Sequence, residues 1–322
     1  MSSAFTPLFA VLATMLLGGL VQKMRILPLN TDLILNQFVY YVAFPAILLI
    51  VLAETRIEDI IQWGFIAGFS LAMMITYAVV IVTSLWITPK NHAIAAMRAL
   101  NSTFGNTAFI GIPLLSIMFP NNKMALVAAA IASLLSVIMF AFALVSIELA
   151  SKNKQTSHPA ILIMLSALAK NPIVVGSLIG ITFSACHMEL PASVSLMLHQ
   201  LGNTSSPCAL FAIGMVLVKA LRQLGGDKLF TASLVAELNA INLLKLIIQP
   251  LIAFGLLNTF GVAQELIAMG VILAALPTAA SVYLLGERYQ VHANISAQAI
   301  LCGTLVTFFS LPIIETLLKS YG

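Results

Sequence analysis

The chain has 322 residues, of which 61% are hydrophobic and only 8% are charged, and its mean hydropathy is +1.06. A soluble domain carries about 25% charged residues, so this composition excludes a soluble enzyme and indicates a protein surrounded by lipid. The formal net charge of +4 does not indicate a nucleic-acid partner, because the basic residues are scattered through short polar joints and form no cluster.

Ten hydrophobic segments follow one another along the chain, and each has about the length that a helix needs to cross a bilayer. They cover residues 5–22, 32–53, 63–87, 94–119, 124–149, 161–186, 193–218, 232–257, 263–286 and 294–317. The first segment lacks the basic stretch that precedes the apolar core of a cleavable signal peptide, so we interpret it as a spanning helix. The sequence therefore predicts an all-α membrane protein with ten transmembrane helices.

Basic residues are distributed unequally between the two sides of the predicted bundle. The joints after the odd-numbered helices contain eleven of them: Lys23, Arg25, Lys90, Arg98, Lys152, Lys154, Lys170, Lys219, Arg222, Lys228 and Arg288. The opposite side contains three: Arg56, Lys123 and Lys319. Because cytoplasmic joints are enriched in lysine and arginine, we expect both termini on the non-cytoplasmic side.

The most polar joint, residues 150–159, divides the chain after the fifth helix. Since five is odd, the second set of five helices enters from the opposite face, and a repeat between the halves must be inverted. The prolines have nearly equal spacing in the two halves, 68 residues between Pro45 and Pro113 and 70 residues between Pro207 and Pro277. We therefore expect a first five-helix repeat at 1–151 and a second, inverted one at 152–322.

The fourth and ninth helices are interrupted near their middle. The fourth has polar and flexible residues from Asn101 to Pro113, and the ninth has proline, threonine and serine from Leu276 to Ser281. A proline within a helix removes a backbone donor and leaves polar groups that hydrocarbon cannot solvate. The alternative is a simple kink whose polar groups are satisfied by serine and threonine side chains. Broken helices at matching places are typical of carriers with a site near the bilayer midplane.

The two breaks together predict a site for an anion. We expect Pro113 and Pro277 each to start a half-helix, because proline is favoured at the first helical position. The positive dipole ends and free N–H groups of both half-helices would then point at the bilayer centre and attract a carboxylate. The predicted substrate-binding residues are Asn101, Asn106, Thr107, Pro113, Pro277, Thr278 and Ser281.

Lys245 is the one basic residue deep inside a predicted span, where a central lysine costs roughly 2.5–3.5 kcal/mol. Glu237, eight residues earlier in the same span, could share a network with it, although direct contact is not expected. Lys245 and Glu237 are therefore candidates for a counter-charge to the anion or for a coupling group. A structural tether between Lys245 and a helix-end carbonyl or a loop carboxylate is the alternative.

The sequence contains no constellation that hydrolysis or phosphoryl transfer would need. It has no HExxH, phosphate loop, nucleophile elbow or paired buried carboxylates, and its histidines and cysteines have no metal-ligand spacing. We therefore expect no enzymatic activity, no cofactor and no metal. The remaining sources of energy for transport are the gradient of the solute itself, a proton or a cation such as sodium.

Three stretches carry a likeness to a known family: residues 105–115, residues 274–281 continuing to 286–289, and Asn171-Pro172. They resemble the auxin efflux carrier family, which includes plant PIN-type carriers and bacterial relatives. The resemblance implies a scaffold of helices 1, 2, 6 and 7 and a transport domain of helices 3–5 and 8–10, in which helices 4 and 9 cross. It also implies elevator-type alternating access and a homodimer.

The resemblance further implies which residue binds substrate. Asn106 matches the carboxylate-binding asparagine of PIN-type carriers by its position seven residues before Pro113. Thr278 stands where plant members often have glutamine, and bacterial relatives are associated with malonate and malate. The implied substrates are therefore small organic carboxylates, malonate-like or malate-like ahead of auxin-like, exported across a bacterial inner (plasma) membrane.

Three other functions stay open at this stage. A sodium-coupled organic-anion symporter resembling the bile-acid symporters would have a related plan, but no carboxylate lies near either predicted break to complete a cation site. A membrane sensor without flux would be expected to carry an output domain. A membrane enzyme would need a catalytic set. Sodium dependence, flux and substrate turnover respectively distinguish these alternatives.

Overall fold

The computed structural model describes residues 5–89, 91–120, 122–150, 160–224 and 231–321, which are helical almost throughout. The one β-bridge among these residues pairs Gly105 with Thr278 in antiparallel orientation. Some residues used in the sequence analysis lie outside the described ranges: Lys90, Lys152, Lys154, Lys228 and residues 151–159 of the polar joint.

Seventeen α-helices and three π-helical segments make up the described chain. The α-helices are α1 (Phe5–Met24), α2 (Thr31–Phe38), α3 (Phe44–Ala53), α4 (Ile57–Ile60), α5 (Trp63–Ile87), α6 (His92–Thr103), α7 (Ile112–Met118), α8 (Lys123–Ala150), α9 (Ala160–Ala169), α10 (Pro172–Ala185), α11 (Ala192–Asn203), α12 (Ser205–Leu224), α13 (Ala232–Leu243), α14 (Gln249–Thr259), α15 (Gln264–Ala274), α16 (Ala280–Tyr289) and α17 (Ala293–Tyr321). The π-helical segments are Val39–Ala43, Thr107–Gly111 and Leu244–Ile248.

Five helical stretches of the described chain are long and apolar enough to cross a membrane, and the number rises to seven if each of two bent helix pairs counts as one span. The five are Thr31–Ala53, Ile57–Ile87, Lys123–Ala150, Ala192–Lys219 and Ala232–Thr259. The helices on either side of the two breaks are shorter than a bilayer is thick. The protein is therefore an all-helical, multi-pass integral membrane protein with broken helices.

The predicted sixth span, residues 161–186, is not one continuous helix. α9 ends at Ala169 and α10 begins at Pro172, with Asn171 between them. The Asn171 side chain accepts a hydrogen bond from the N–H of Ile173 at 2.9 Å and so caps α10. Proline at the first helical position disfavours helix in the residue before it, so the chain breaks here and starts a new helix.

Each of the three π-helical segments is followed closely by a proline. Pro45, Pro113 and Pro250 are each the second residue of the α-helix that continues from the π-helical segment. A proline has no N–H to donate and its ring collides with the carbonyl one turn earlier. A wider turn before the proline relieves that collision. The helix therefore continues past the proline, although a proline within a helix usually causes a kink.

The described helices fall into two compact units. The first consists of the described residues among 1–62, 108–134 and 171–229, and the second of those among 63–107, 135–170 and 230–322. In the first unit α1 packs closely on α12. A Cβ atom added to Gly214 would lie 1.8 Å from the carbonyl oxygen of Met15, and one added to Gly18 would lie 2.1 Å from that of Phe211. Only glycine permits this approach.

In the second unit, α5 packs on α6 and α14. Its core is formed by apolar side chains from α5, α6, α8 and α16 and from the two break segments. The buried members are Tyr77, Val80, Ala96, Met97, Ala99, Leu100, Phe104, Ala143, Leu144, Ile147, Ala279, Val282 and Leu285. This core holds the ends of the broken helices in a fixed position relative to each other.

Candidate functional site

Two extended segments, one from each broken helix, cross inside the second unit. The backbone N–H of Asn106 donates to the carbonyl oxygen of Pro277 at 2.8 Å, and the N–H of Ala279 donates to the carbonyl oxygen of Phe104 at 3.1 Å. Each break therefore satisfies polar backbone groups of the other, which hydrocarbon could not do. The predicted interruption of both helices is confirmed.

Side chains tie the crossing to the helices around it. The Thr278 hydroxyl donates to the carbonyl oxygen of Asn101 at 2.6 Å, in the last turn of α6. The Asn101 amide donates to the carbonyl oxygen of Met97 at 2.9 Å and to the hydroxyl of Ser296 at 2.8 Å. Asn101, Thr278 and Ser296 are all buried. These three residues therefore hold the crossing in place from within.

The half-helices do not begin at the prolines, which corrects the sequence prediction. After the first break the chain resumes as the π-helical segment Thr107–Gly111, and Pro113 comes in the following α-helix. After the second break α16 begins at Ala280, and Pro277 lies in the extended segment before it. Proline forces the residue before it into an extended conformation, so Pro277 prolongs the break.

The predicted site residues differ in their accessibility. Asn106 and Ser281 are partly exposed, and Ala280 is exposed. The buried members of the predicted set are Asn101, Thr107, Pro113, Pro277 and Thr278. Within the described chain, the backbone N–H groups of Ala280 and Ser281 have no hydrogen-bond acceptor, and they start α16, where a helix attracts negative charge.

Lys245 lies next to the crossing, in the π-helical segment Leu244–Ile248, and is 1% exposed. Its ammonium group donates to the carbonyl oxygen of Ala274 at 2.5 Å and to the Gln249 side-chain oxygen at 2.8 Å. The Gln249 amide in turn donates to the carbonyl oxygen of Thr103 at 3.2 Å. Of the contacts that the sequence left open for Lys245, the structure contains the tether to a helix-end carbonyl.

Glu237 contacts Arg98, and no hydrogen bond or ion pair joins Glu237 to Lys245 among the described residues, which agrees with the expectation that they do not touch directly. A wider network between Glu237 and Lys245 stays a prediction. The Arg98 Nε atom lies 2.5 Å from Glu237 Oε1, and Arg98 Nη1 donates to the hydroxyls of Ser84 and Thr88, both at 3.0 Å. His292 Nδ1 is 3.7 Å from Glu237 Oε1. The carboxylate is drawn to the arginine because the guanidinium offers several donors in a fixed geometry.

Three residues of this region were missed by the sequence analysis as structural partners: Gln249, Ser296 and Arg98. Gln249 had a local signal, because it follows Lys245 by four residues and so shares a helix face with it. Arg98 and Glu237 are 139 positions apart, and no local pattern joins them.

Pro113 belongs to the first compact unit, whereas the other predicted site residues belong to the second. No group of three metal-ligating side chains occurs among the described residues.

The chain is similar in sequence to known membrane transport proteins. Residues 3–315 match the family model described as "Membrane transport protein". The chain is also 26% identical over 274 residues to a protein of Rhizobium meliloti (strain 1021) named "Putative malonate transporter", an alignment that covers 85% of this chain and 82% of the relative. The chain therefore belongs to the membrane transport protein family that includes the auxin efflux carriers, and it is not an enzyme.

Proposed function

We propose that the protein is a secondary carrier of small organic anions, with malonate-like and malate-like dicarboxylates as the preferred class over auxin-like monocarboxylates. The observation that carries the proposal is the crossing of two broken helices in the second unit, joined by the hydrogen bonds of Asn106 and Ala279. Broken helices place helix ends and polar side chains inside the bilayer, where they can bind an anion that the hydrocarbon could not solvate. The name of the Rhizobium meliloti relative supports the same substrate class.

Substrate contacts are assigned to the accessible polar groups of the crossing. Asn106 offers an amide that can donate to a carboxylate without the cost of a second buried charge. Ser281 offers a hydroxyl, and the amides of Ala280 and Ser281 lie at the positive end of α16. Asn101, Thr107, Pro113, Pro277 and Thr278 shape the breaks. Lys245, which is buried next to the crossing, contributes positive charge.

The mode of transport is proposed as elevator-type alternating access, in the direction of export. Two inverted repeats of five helices, at 1–151 and 152–322, would make up a scaffold of predicted helices 1, 2, 6 and 7 and a transport domain of predicted helices 3–5 and 8–10. The existence of two compact units supports a division of this kind. A homodimer in the bacterial inner membrane, with both termini on the non-cytoplasmic side, completes the proposal.

Counterflow in proteoliposomes tests the function. Vesicles loaded with unlabelled malonate should accumulate labelled malonate, and an outside panel of mono- and dicarboxylates should compete in proportion to their affinity. We expect Asn106→Ala to reduce the initial rate by about tenfold, because the variant loses one hydrogen bond to the charged substrate. Asn294→Ala, at an exposed asparagine of α17, is the matched control and should transport like the wild type.

The same assay separates the alternatives. Uptake that requires sodium on one side would favour a sodium-coupled symporter. Specific binding of organic acids without flux under any gradient would favour a membrane sensor. Equal flux in Asn106→Ala and the wild type would remove that residue from the site.

A further inference from the structure

The C-terminal ends of two helices point into the crossing, and one pair of side chains contacts both ends. α15 ends at Ala274, whose carbonyl oxygen accepts from the Lys245 ammonium group at 2.5 Å. α6 ends at Thr103, whose carbonyl oxygen accepts from the Gln249 amide at 3.2 Å. Lys245 and Gln249 are joined by a hydrogen bond of 2.8 Å. The pair is therefore a bridge between the two broken helices.

Helix C-termini carry partial negative charge and carbonyl oxygens without intrahelical partners. Two such ends meeting inside a membrane repel each other unless a positive charge lies between them. Within the described chain Lys245 forms no salt bridge with a carboxylate. Its charge is instead stabilised by helix-end and amide oxygens, the kind of ligand that a bare monovalent cation would also take.

The ammonium group also lies directly against the crossing. A Cβ atom added to Gly105, the residue that pairs with Thr278, would lie 3.1 Å from Lys245 Nζ and 3.3 Å from Lys245 Cε. The next atom near this added Cβ is the carbonyl oxygen of Leu273, at 3.5 Å, which is an ordinary van der Waals distance. Because Gly105 has no Cβ, the end of the Lys245 side chain can lie against the backbone here without a tight contact.

We infer that Lys245 is a resident cation, which takes the position that a dissociable inorganic cation would otherwise have to fill between the ends of α6 and α15. The inference rests on the proposed function and deepens it. The ammonium neutralises the two helix ends and supplies positive charge toward an anionic substrate in every transport cycle. The carrier consequently needs neither sodium nor potassium to assemble its site or to move its substrate.

A stability measurement tests the inference without any transport assay. The melting temperature of purified wild-type protein is measured in sodium, potassium, methylammonium and choline chloride at equal ionic strength. We expect the same value in all four salts. Lys245→Ala should melt lower by on the order of 5 °C or more, and methylammonium, which can enter the vacated space, should restore part of the loss where the larger choline does not.

Two further variants keep the result interpretable if Lys245→Ala fails to fold. Lys245→Met has a similar volume without the charge, so it should also melt lower; a wild-type melting temperature in this variant would overturn the inference. Gly105→Ala should lower the melting temperature of the wild type. Its effect should be smaller in the Lys245→Met background, because the end of the methionine side chain is not held by hydrogen bonds and can move away from the added methyl group. Strictly additive effects would overturn the direct contact. Lys170→Ala, at an exposed lysine, is the control.

Transport then separates this inference from the proposed function. Malonate counterflow that is unchanged when choline replaces sodium on both sides supports the resident cation. Malonate flux that requires sodium, or a wild-type melting temperature that rises in sodium relative to choline, would overturn it while leaving the carrier function intact. Absence of any organic-anion flux would overturn the function, and the melting measurements would still decide the role of Lys245.

Discussion

Thr278 donates its hydroxyl to the carbonyl oxygen of Asn101 at 2.6 Å, so a residue of the second break satisfies the helix that ends at the first break, 177 positions earlier. Both residues are buried. A carbonyl oxygen without a partner at this depth would cost free energy comparable to a lost hydrogen bond. The relationship explains why a hydroxyl residue follows Pro277 and sets up a direct test.

Thr278→Val removes the donor and keeps the volume of the side chain. We expect this variant to lower the free energy of unfolding by about 1–3 kcal/mol, the cost of leaving a buried acceptor unsatisfied. Thr278→Ser retains the hydroxyl and should lose less. Thermal melting of the purified proteins in detergent compares the two, and equal losses would show that the methyl group and not the hydroxyl is what matters.

Arg98→Gln should destabilise the protein more than the paired change of Arg98 and Glu237 does. The single variant leaves the Glu237 carboxylate half-buried without its partner, and its side chain is only 20% exposed. We expect a loss of about 2 kcal/mol, below the roughly 3–5 kcal/mol of a fully buried pair. A double-mutant cycle with Glu237→Gln measures the coupling. A coupling energy near zero would contradict the interaction.

Gly214→Ala should be among the most damaging single substitutions in the first unit. The added Cβ would lie 1.8 Å from the carbonyl oxygen of Met15, and backbone on α1 must move to accept it. Gly255→Ala is the matched control, since a Cβ there meets nothing within 4 Å. Because a mid-helix glycine costs roughly 0.5–1 kcal/mol relative to alanine, the control should melt at the wild-type temperature or higher. Expression level and melting temperature report both.

His292 makes the protein less stable in acid. Burial lowers the pKa of His292 below its ordinary value of 6.5; Glu237 opposes that shift and Arg98 adds to it. Since the unfolded chain then binds the proton more readily, the stability contribution of His292 is complete above about pH 6.5 and falls as the pH drops through that value. His292→Asn, which tolerates the positive φ of 52° at this position, should flatten the change of melting temperature between pH 7.5 and 5.5. An unchanged slope would contradict the assignment.

Much of the helical plan could be predicted from the sequence, because apolar length and proline position are local properties. The predicted span 63–87 coincides with α5, and both interruptions lie close to their predicted positions. The starts of the half-helices were misplaced, since the wider turn at Thr107–Gly111 lets the chain absorb Pro113 inside a helix. A proline follows each π-helical segment at the same position, but Pro113 was interpreted from the sequence only as a helix start.

Partners at the crossing were harder to predict, because they depend on which distant residues the fold brings together. A buried lysine needs oxygen ligands, and this need was readable from the sequence. That these ligands are the carbonyl of Ala274 and the side chain of Gln249 depends on the packing of α14 against α15. Similarly, the ion pair between Glu237 and Arg98 depends on the fold, because the two residues are 139 positions apart.

The long sequence separation across the crossing bears on how the chain is made. The segment around Asn106 leaves the ribosome and enters the bilayer well before Pro277 has been synthesised, yet its amide acceptor is the carbonyl of that proline. During this interval the exposed backbone groups must be hydrated or shielded by the insertion machinery. Nascent chains truncated before Leu276 should therefore be held at the translocon or degraded, which makes the crossing a checkpoint for biogenesis.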